Sequence, residues 1–349
     1  MNKHIFPFLC CLLFWSCTKN QPQAPSSTGT ATGQNLLQRL RYNYDFSDFY
    51  GAVIRVHLDT LLEGAGPLTL LVPDNTAFQN VGISADSLNR MDTAQLRILL
   101  KYHIVPGNIT YEDVPQALDY VFKNLDSLPL YFSEPLPGNS QEENLSLKIV
   151  HINGVNVTQT DVLASNGVIQ VLAAPLTYPS PSVKNFLVNN PQYSLFTSGL
   201  TKFGLLNQLD SVGPWEVLAP SNSCFQNWGI DQDSINRMDT LTYYKYLFGA
   251  YIMPHTLFFE SDINDGPSEL TGNAGNAWYV TPQYVLNFYF GYLSVYPLNY
   301  QEQVNAGGYP YPWGDYSVNI SDPDHLALNG IVEGINGLLV YPDSALVKP

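Results

Sequence analysis

The residues of this chain whose types could do chemistry are few and scattered. Asp231/Asp233 and Asp322/Asp324 have the spacing of carboxylates that share a calcium ion, and Asp262-Ile263-Asn264-Asp265-Gly266 has the opening of a calcium loop without its terminal glutamate. Acidic turns of this kind more often face water, and no metal site is expected from them. The six histidines are dispersed along the chain. There is no Gly-x-Ser-x-Gly elbow, no His-Glu-x-x-His pair, no phosphate-cradling glycine loop and no cysteine cluster. No motif sets a nucleophile beside a base. Asp161 and Asp324 each precede a turn, where a carboxylate serves as a local acceptor for backbone N–H groups rather than as a catalyst. The chain reads as a non-enzyme, with no catalytic residue, no cofactor and no metal.

One cysteine is a candidate for chemistry performed on the chain. Lys3 precedes an apolar run from Ile5 to Trp15, too short for a bilayer, which needs roughly 20 residues, and of the length of a signal peptide. Ser16 and Cys17 follow where the run stops, and the arrangement resembles a bacterial lipobox, in which the cysteine becomes the acylated N-terminus. Phe14-Trp15 is bulkier than usual there. Cys17 is the expected lipid attachment site, with residues 1–17 as the signal and its cysteine. Cys10 and Cys11 leave with the signal, so only Cys17 and Cys224 remain and no disulfide framework can form. Cys224 is expected to pack as a small hydrophobe.

Composition sets the class of partner. The formal net charge is −15, and no Lys/Arg cluster is present, which excludes a phosphate-binding face and therefore nucleic acid. Residues 18–34 are almost entirely Ser, Thr, Gly, Ala, Pro, Asn and Gln, too poor in apolar side chains to fold, and are expected to be a flexible tether.

The elements that must position everything else are written twice. Pro73, Asn75, Phe78-Gln79-Asn80, Gly82-Ile83, Asp86-Ser87 and Asn89-Arg90-Met91-Asp92-Thr93 recur without a gap as Pro220, Asn222, Phe225-Gln226-Asn227, Gly229-Ile230, Asp233-Ser234 and Asn236-Arg237-Met238-Asp239-Thr240. The match resumes at Val105-Pro106 with Met253-Pro254, and at Asp161 and Asn166-Gly167-Val168-Ile169 with Asp324 and Asn329-Gly330-Ile331-Val332. Each copy has the length of a domain, not of a solenoid repeat. Within the first, Leu68 to Val72 is a strand stopped by Pro73, and Asp74 or Asn75 caps a short helix carrying Ala77 and Phe78. Asp92 or Thr93 caps a second helix whose Leu96, Leu99, Leu100 and His103 share an inward face. Asn153-Gly154 joins two strands as a type I′ hairpin, and Val168 to Leu172 is a last strand. Pro179 and Pro181 stiffen the linker between copies, giving domains at 35–178 and 179–349.

Three segments now carry a family resemblance. Leu70-Leu71-Val72-Pro73-Asp74-Asn75-Thr76-Ala77-Phe78, then Leu99-Leu100-Lys101-Tyr102-His103-Ile104-Val105-Pro106-Gly107, then Asn166-Gly167-Val168-Ile169-Gln170-Val171 resemble, in order, the hallmark segments of the fasciclin domain. The resemblance implies an α+β fold of two tandem domains, each a wedge-shaped β-sandwich flanked by short helices, used in extracellular adhesion. It links Tyr102 and His103 to domain integrity and to ligand binding; the ring of His103, on an apolar helix face, is expected to be chiefly structural. The second copy has Ala250-Tyr251 there, a degraded segment that confines any role of the histidine to the first copy. The second copy is also longer between Pro254 and Asn329 than the first between Pro106 and Asn166. The extra length is rich in tyrosine; Tyr284 to Tyr296 alternates like a strand, whereas Ala306 to Asp315 looks like an exposed loop that offers Tyr309, Tyr311 and Trp313 to a ligand. The expected protein is a lipoprotein on the outer membrane surface, tied to the membrane by its anchor, binding an extracellular protein or polysaccharide. The alternative is a glycan-capturing accessory of a polysaccharide uptake system.

Overall fold

Two seven-stranded sheets, one from each copy, are built in the same order. The computed structural model describes residues 33–134, 150–265, 278–281, 284–289, 292–297 and 316–347, and side chains outside 263–317. In the first copy the strands are β1 (Leu68–Pro73), β2 (Ile104–Pro106), β3 (Tyr120–Lys123), β4 (Pro129–Ser133), β5 (His151–Ile152), β6 (Val155–Ala164) and β7 (Gly167–Leu172). They run β2-β1-β7-β6-β5-β4-β3 across the sheet. The second copy supplies β8 (Trp215–Pro220), β9 (Ile252–Pro254), β10 (Trp278–Thr281), β11 (Tyr284–Tyr289), β12 (Tyr292–Pro297), β13 (Tyr316–Ala327) and β14 (Gly330–Ile335). Read from β9, that sheet is β9-β8-β14-β13-β12-β11-β10, the same arrangement position for position. In both copies the central pair, β1 with β7 and β8 with β14, is parallel.

The hydrophobic pattern explains why the centre of the first sheet is covered on both faces. Every residue of β1 and of β7 is buried, and these strands read as largely apolar runs broken only by Thr69 and Gln170, not as alternations. Side chains still alternate sides: Leu70, Val72, Ile169 and Val171 pack with the helices Leu36–Tyr42, Ser47–Arg55 and Thr93–Tyr102, whereas Leu71 and Leu172 pack against Leu130, Phe132 and Ile152 of β4 and β5. The fold is thus α+β, with helices on one face and the far end of the same sheet turned over the other. The bend lies in β6, where the register with β7 slips between Val157 and Gln159 and again before Val162. β13 slips against β14 at the equivalent places. At the middle of each bulge an aspartate, Asp161 or Asp324, has positive φ, 58° and 64°, a conformation Asp tolerates better than most residues.

The local signals act as read. Asn153 and Gly154 take φ of 49° and 78°, the two left-handed residues of a type I′ turn, and join Ile152 to Val155. Asp74 caps the helix Asn75–Asn80 by accepting from the Ala77 amide at 2.7 Å. Asp92 accepts from the Ala94 and Gln95 amides at 2.9 and 3.1 Å, and the helix it starts buries Leu96, Leu100 and His103, with Leu99 half-buried. Within the stretch Tyr284 to Tyr296, the described residues fall in β11 and β12, which pair antiparallel with Phe288 opposite Leu293.

Asn75 has a second use that its twin shares. Its side chain accepts from the Asp48 amide and donates to Tyr44 O and Ser47 Oγ, while Asn222 accepts from Leu195 N and donates to Pro191 O and Ser194 Oγ. Asn166 does the same for the other end of the sheet. Its Oδ1 accepts from Leu36 N at 2.8 Å and its Nδ2 donates to Leu62 O and Gly64 O at 2.8 and 2.7 Å. Asn329 reproduces all three bonds with Val183 N, Leu209 O and Ser211 O. The glycine that follows lets the strands close: a Cβ on Gly167 would stand 1.9 Å from Leu68 O, and one on Gly330 2.1 Å from Trp215 O.

Candidate functional site

Tyr102 and His103 lie at the end of their helix, where β2 begins, and both are buried in the first copy's core. The His103 ring is used on both sides. Nδ1 lies 2.9 Å from Leu99 O, and Nε2 accepts from the Leu176 amide at 2.9 Å, which fixes the neutral Nδ1–H tautomer. Burial pushes its pKa down to about 4, against a smaller upward pull from the Leu99 carbonyl. The phenol of Tyr102 donates to Pro129 O at 3.2 Å and accepts from Asn153 Nδ2 at 2.9 Å, so it ties the helix to β4 and to the hairpin turn. An outside ligand meets neither ring without opening the core.

The second copy keeps this interaction with different chemistry. Tyr251, in the place of His103, is buried and its hydroxyl accepts from the amides of Leu339 at 2.9 Å and Val340 at 3.2 Å. Leu339 occupies the place of Leu176. The segment is therefore substituted, not degraded: a phenol oxygen reaches the backbone amide that an imidazole nitrogen reaches in the first copy.

The carboxylates with calcium-like spacing have other partners. Asp231 caps the helix Gln232–Arg237 through the Ser234 amide at 2.7 Å. Asp322 accepts from the Tyr193 hydroxyl at 2.6 Å and from Gln192, and pairs with His325 at 2.8 Å. Asp161 and Asp324 do bond backbone, but not locally. Asp161 Oδ1 accepts from Tyr111 N and Asp324 Oδ1 from Glu260 N, both in the long connection that follows β2 or β9. The bulge is what aims each side chain at that distant loop. Among the described residues, no group of three or more His, Cys, Asp or Glu is placed to hold a metal ion.

Sequence reading missed the most unusual cluster in the molecule. Thr69 and Gln170 of the first copy correspond to Glu216 and Glu333 of the second, and both glutamates are fully buried. Asp262 and Asp324 from the same copy and Asp119 from the first copy join them, close enough that the repulsion among them acts on their titration. Burial is the first cause of the raised pKa of four of them, with neighbouring carboxylates adding to it: Asp119 is pushed up to about 8, Asp324 to about 7, and Glu216 and Glu333 well above the usual range. The available signal was in the repeat: two uncharged residues of all-buried strands become glutamates in the other copy.

Cys224 is buried, its sulfur against Ile335 O, as expected of a small core residue. Cys17, Tyr309, Tyr311 and Trp313 lie outside the described residues. Among the described residues, no helix is long and apolar enough to cross a membrane.

Several known proteins are similar to parts of this chain. The profile of the Fasciclin domain matches residues 44–179. Transforming growth factor-beta-induced protein ig-h3 of Sus scrofa is 32% identical over 196 residues, which is 55% of this chain and 26% of that protein. Human Periostin is 24% identical over 237 residues, 68% of this chain and 25% of its own length. The chain thus spans about a quarter of the length of these relatives. The solved FAS1 domain pair of the insect cell adhesion molecule Fasciclin I shares 18% identity, with 86% of this chain and 99% of that one covered at a TM-score of 0.38.

Proposed function

For a chain whose residues 44–179 match the Fasciclin domain, we propose a fasciclin-type, non-enzymatic lipoprotein of the outer membrane surface whose two domains bind an extracellular protein or polysaccharide. Fasciclin domains are associated with adhesion and binding outside the cell. The observation that carries the reading is how the hallmark residues are used. The ring nitrogens of His103 and the hydroxyls of Tyr102 and Tyr251 are all engaged inside the core. What these segments do is hold two rigid bodies in shape, and recognition falls to the outer surfaces. The anchor is tested by replacing Cys17 with Ala and fractionating the cells; the variant is released to the soluble fraction, and its retention with membranes counts against the anchor.

The density of tyrosine between Trp278 and Tyr316 favours glycan capture as a second reading, because rings with an apolar face and a polar tip stack on sugars. A glycan array separates the two. Ligands that are lost when Tyr309, Tyr311 and Trp313 are changed to Ala support capture of polysaccharide, while an intact chain that binds no glycan leaves protein adhesion ahead.

A further inference from the structure

The buried carboxylates lie where the two copies meet. Tyr131 of β4 packs on Phe259 of the second copy with ring centroids 5.8 Å apart, in an apolar cluster with Leu326 and Ile331. Beside it, a Cβ on Gly154 of the first copy's hairpin would come within 2.3 Å of Asp324 Oδ2. Asp119, at φ 53°, enters from the turn before β3. Asp119, Tyr131 and Gly154 of the first copy thus border a cluster whose other carboxylates belong to the second.

Comparison of the copies shows what is chemically missing. In the first, Gln170 Oε1 accepts from Asp161 N at 3.0 Å, and its Nε2 donates to Asp161 Oδ1 at 2.8 Å and to Ile109 O at 3.0 Å. In the second, Glu333 Oε2 still accepts from Asp324 N at 2.9 Å, but a carboxylate has no N–H to return. Thr69 Oγ1 likewise accepts from Ile109 N and donates to Gly107 O, whereas Glu216 Oε2 only accepts, from Phe258 N at 3.1 Å. The remaining oxygens, Glu216 Oε1 and Glu333 Oε1, are buried without a hydrogen-bond partner, as is Asp119 Oδ1. Ionised, these groups would face one another with no donor between them, at a cost that a buried site does not tolerate. Protonated, Glu333 becomes the equivalent of Gln170 and donates to Asp324.

We propose that the junction between the two copies is a latch held by protons: it stays closed while Glu333 and its neighbours keep carboxyl protons, and opens as those protons pass to solvent. The groups that face one another there are Asp119 and Tyr131 from the first copy and Glu216, Glu260, Asp262, Asp324 and Glu333 from the second. The sign follows from burial. A carboxyl raised in the closed state weakens closure as pH climbs from its ordinary value through its raised one, which for Asp324 and Asp119 means up to about 7 and about 8. A tandem pair built this way is compact in acid and free to change its angle in alkali.

The test measures the distance between copies in the mature chain carrying Cys17→Ser. Spin labels are placed at the exposed positions Val81 and Val212, one in each copy, and pulsed dipolar spectra are recorded at pH 5 and pH 9. The wild type gives one narrow distance at pH 5 and at least a tenfold larger open population at pH 9. The double variant E216T/E333Q, which restores the first copy's residues, stays narrow at both. Asp119→Asn, which removes a charge from the other side, shrinks the open population at pH 9 and guards against misfolding of the double variant. A wild-type distance identical at the two pH values overturns the latch, as does a double variant that opens as widely as the wild type. A distance that depends on calcium and breaks up on chelation at both pH values assigns the cluster to a cation and overturns it as well.

Discussion

Acidification tests the neutral role of His103 most directly. The buried ring carries its proton on Nδ1 and accepts at Nε2, so a second proton removes the acceptor of the Leu176 amide and sets a charge in the core. The folded pKa of about 4 lies below the ordinary 6.5, so the folded state refuses a proton that the unfolded chain takes. Its stabilising contribution is complete above pH 6.5, declines at about 1.4 kcal/mol per pH unit below it, and levels off below pH 4, a total of about 3 kcal/mol. The junction carboxylates act in the opposite direction, gaining as pH falls. A non-titrating variant, H103Q, removes that common background, because distant sites add. Urea unfolding followed by far-ultraviolet circular dichroism gives the two curves, while Trp215 and Trp228 report the second copy by fluorescence as an internal control. At pH 7.5 H103Q is the less stable protein, having lost the bond to Leu99 and the edge contact with Phe49. By pH 4.5 the gap narrows by about 2 to 3 kcal/mol, with the fluorescence transition the same in both proteins. Parallel curves, with the gap unchanged to within about 0.5 kcal/mol, would refute a neutral ring held by those two bonds.

Two further outcomes follow from the repeat. Asn166→Ala removes three bonds that join the first helix, the chain before β1 and the last turn, and is expected to cost about 2 to 4 kcal/mol in chemical denaturation, with Asn329→Ala costing the second copy as much. Tyr251→Phe strips the acceptor from two buried amides at no change of shape; a loss of about 1 to 3 kcal/mol in the fluorescence-detected transition is expected, and a neutral result would mean that Leu339 N and Val340 N are satisfied elsewhere.

The sequence by itself determined whatever depends on a few neighbours along the chain. A mostly apolar strand stopped by a proline, an aspartate before a helical face and two left-handed residues at Asn153-Gly154 are each specified within a few positions, and the duplication showed that the two copies share one order of elements. Only the tertiary structure decided how side chains with remote partners are used. Asn166 looked like half of a turn, yet it binds Leu36 and Leu62, more than a hundred positions away. Ala250-Tyr251 looked like a damaged motif because matching by residue type cannot see that a phenol oxygen reaches the place of an imidazole nitrogen. Asp161 and Asp324 looked like local acceptors, but the bulge turns them to a distant loop. The carboxylates of the junction come from three strands and a short helix of the second copy and a turn of the first, and their charge state depends on water that only packing excludes. Burial and convergence are properties of the folded pair, whereas helix caps and turn residues act on their own stretch of backbone.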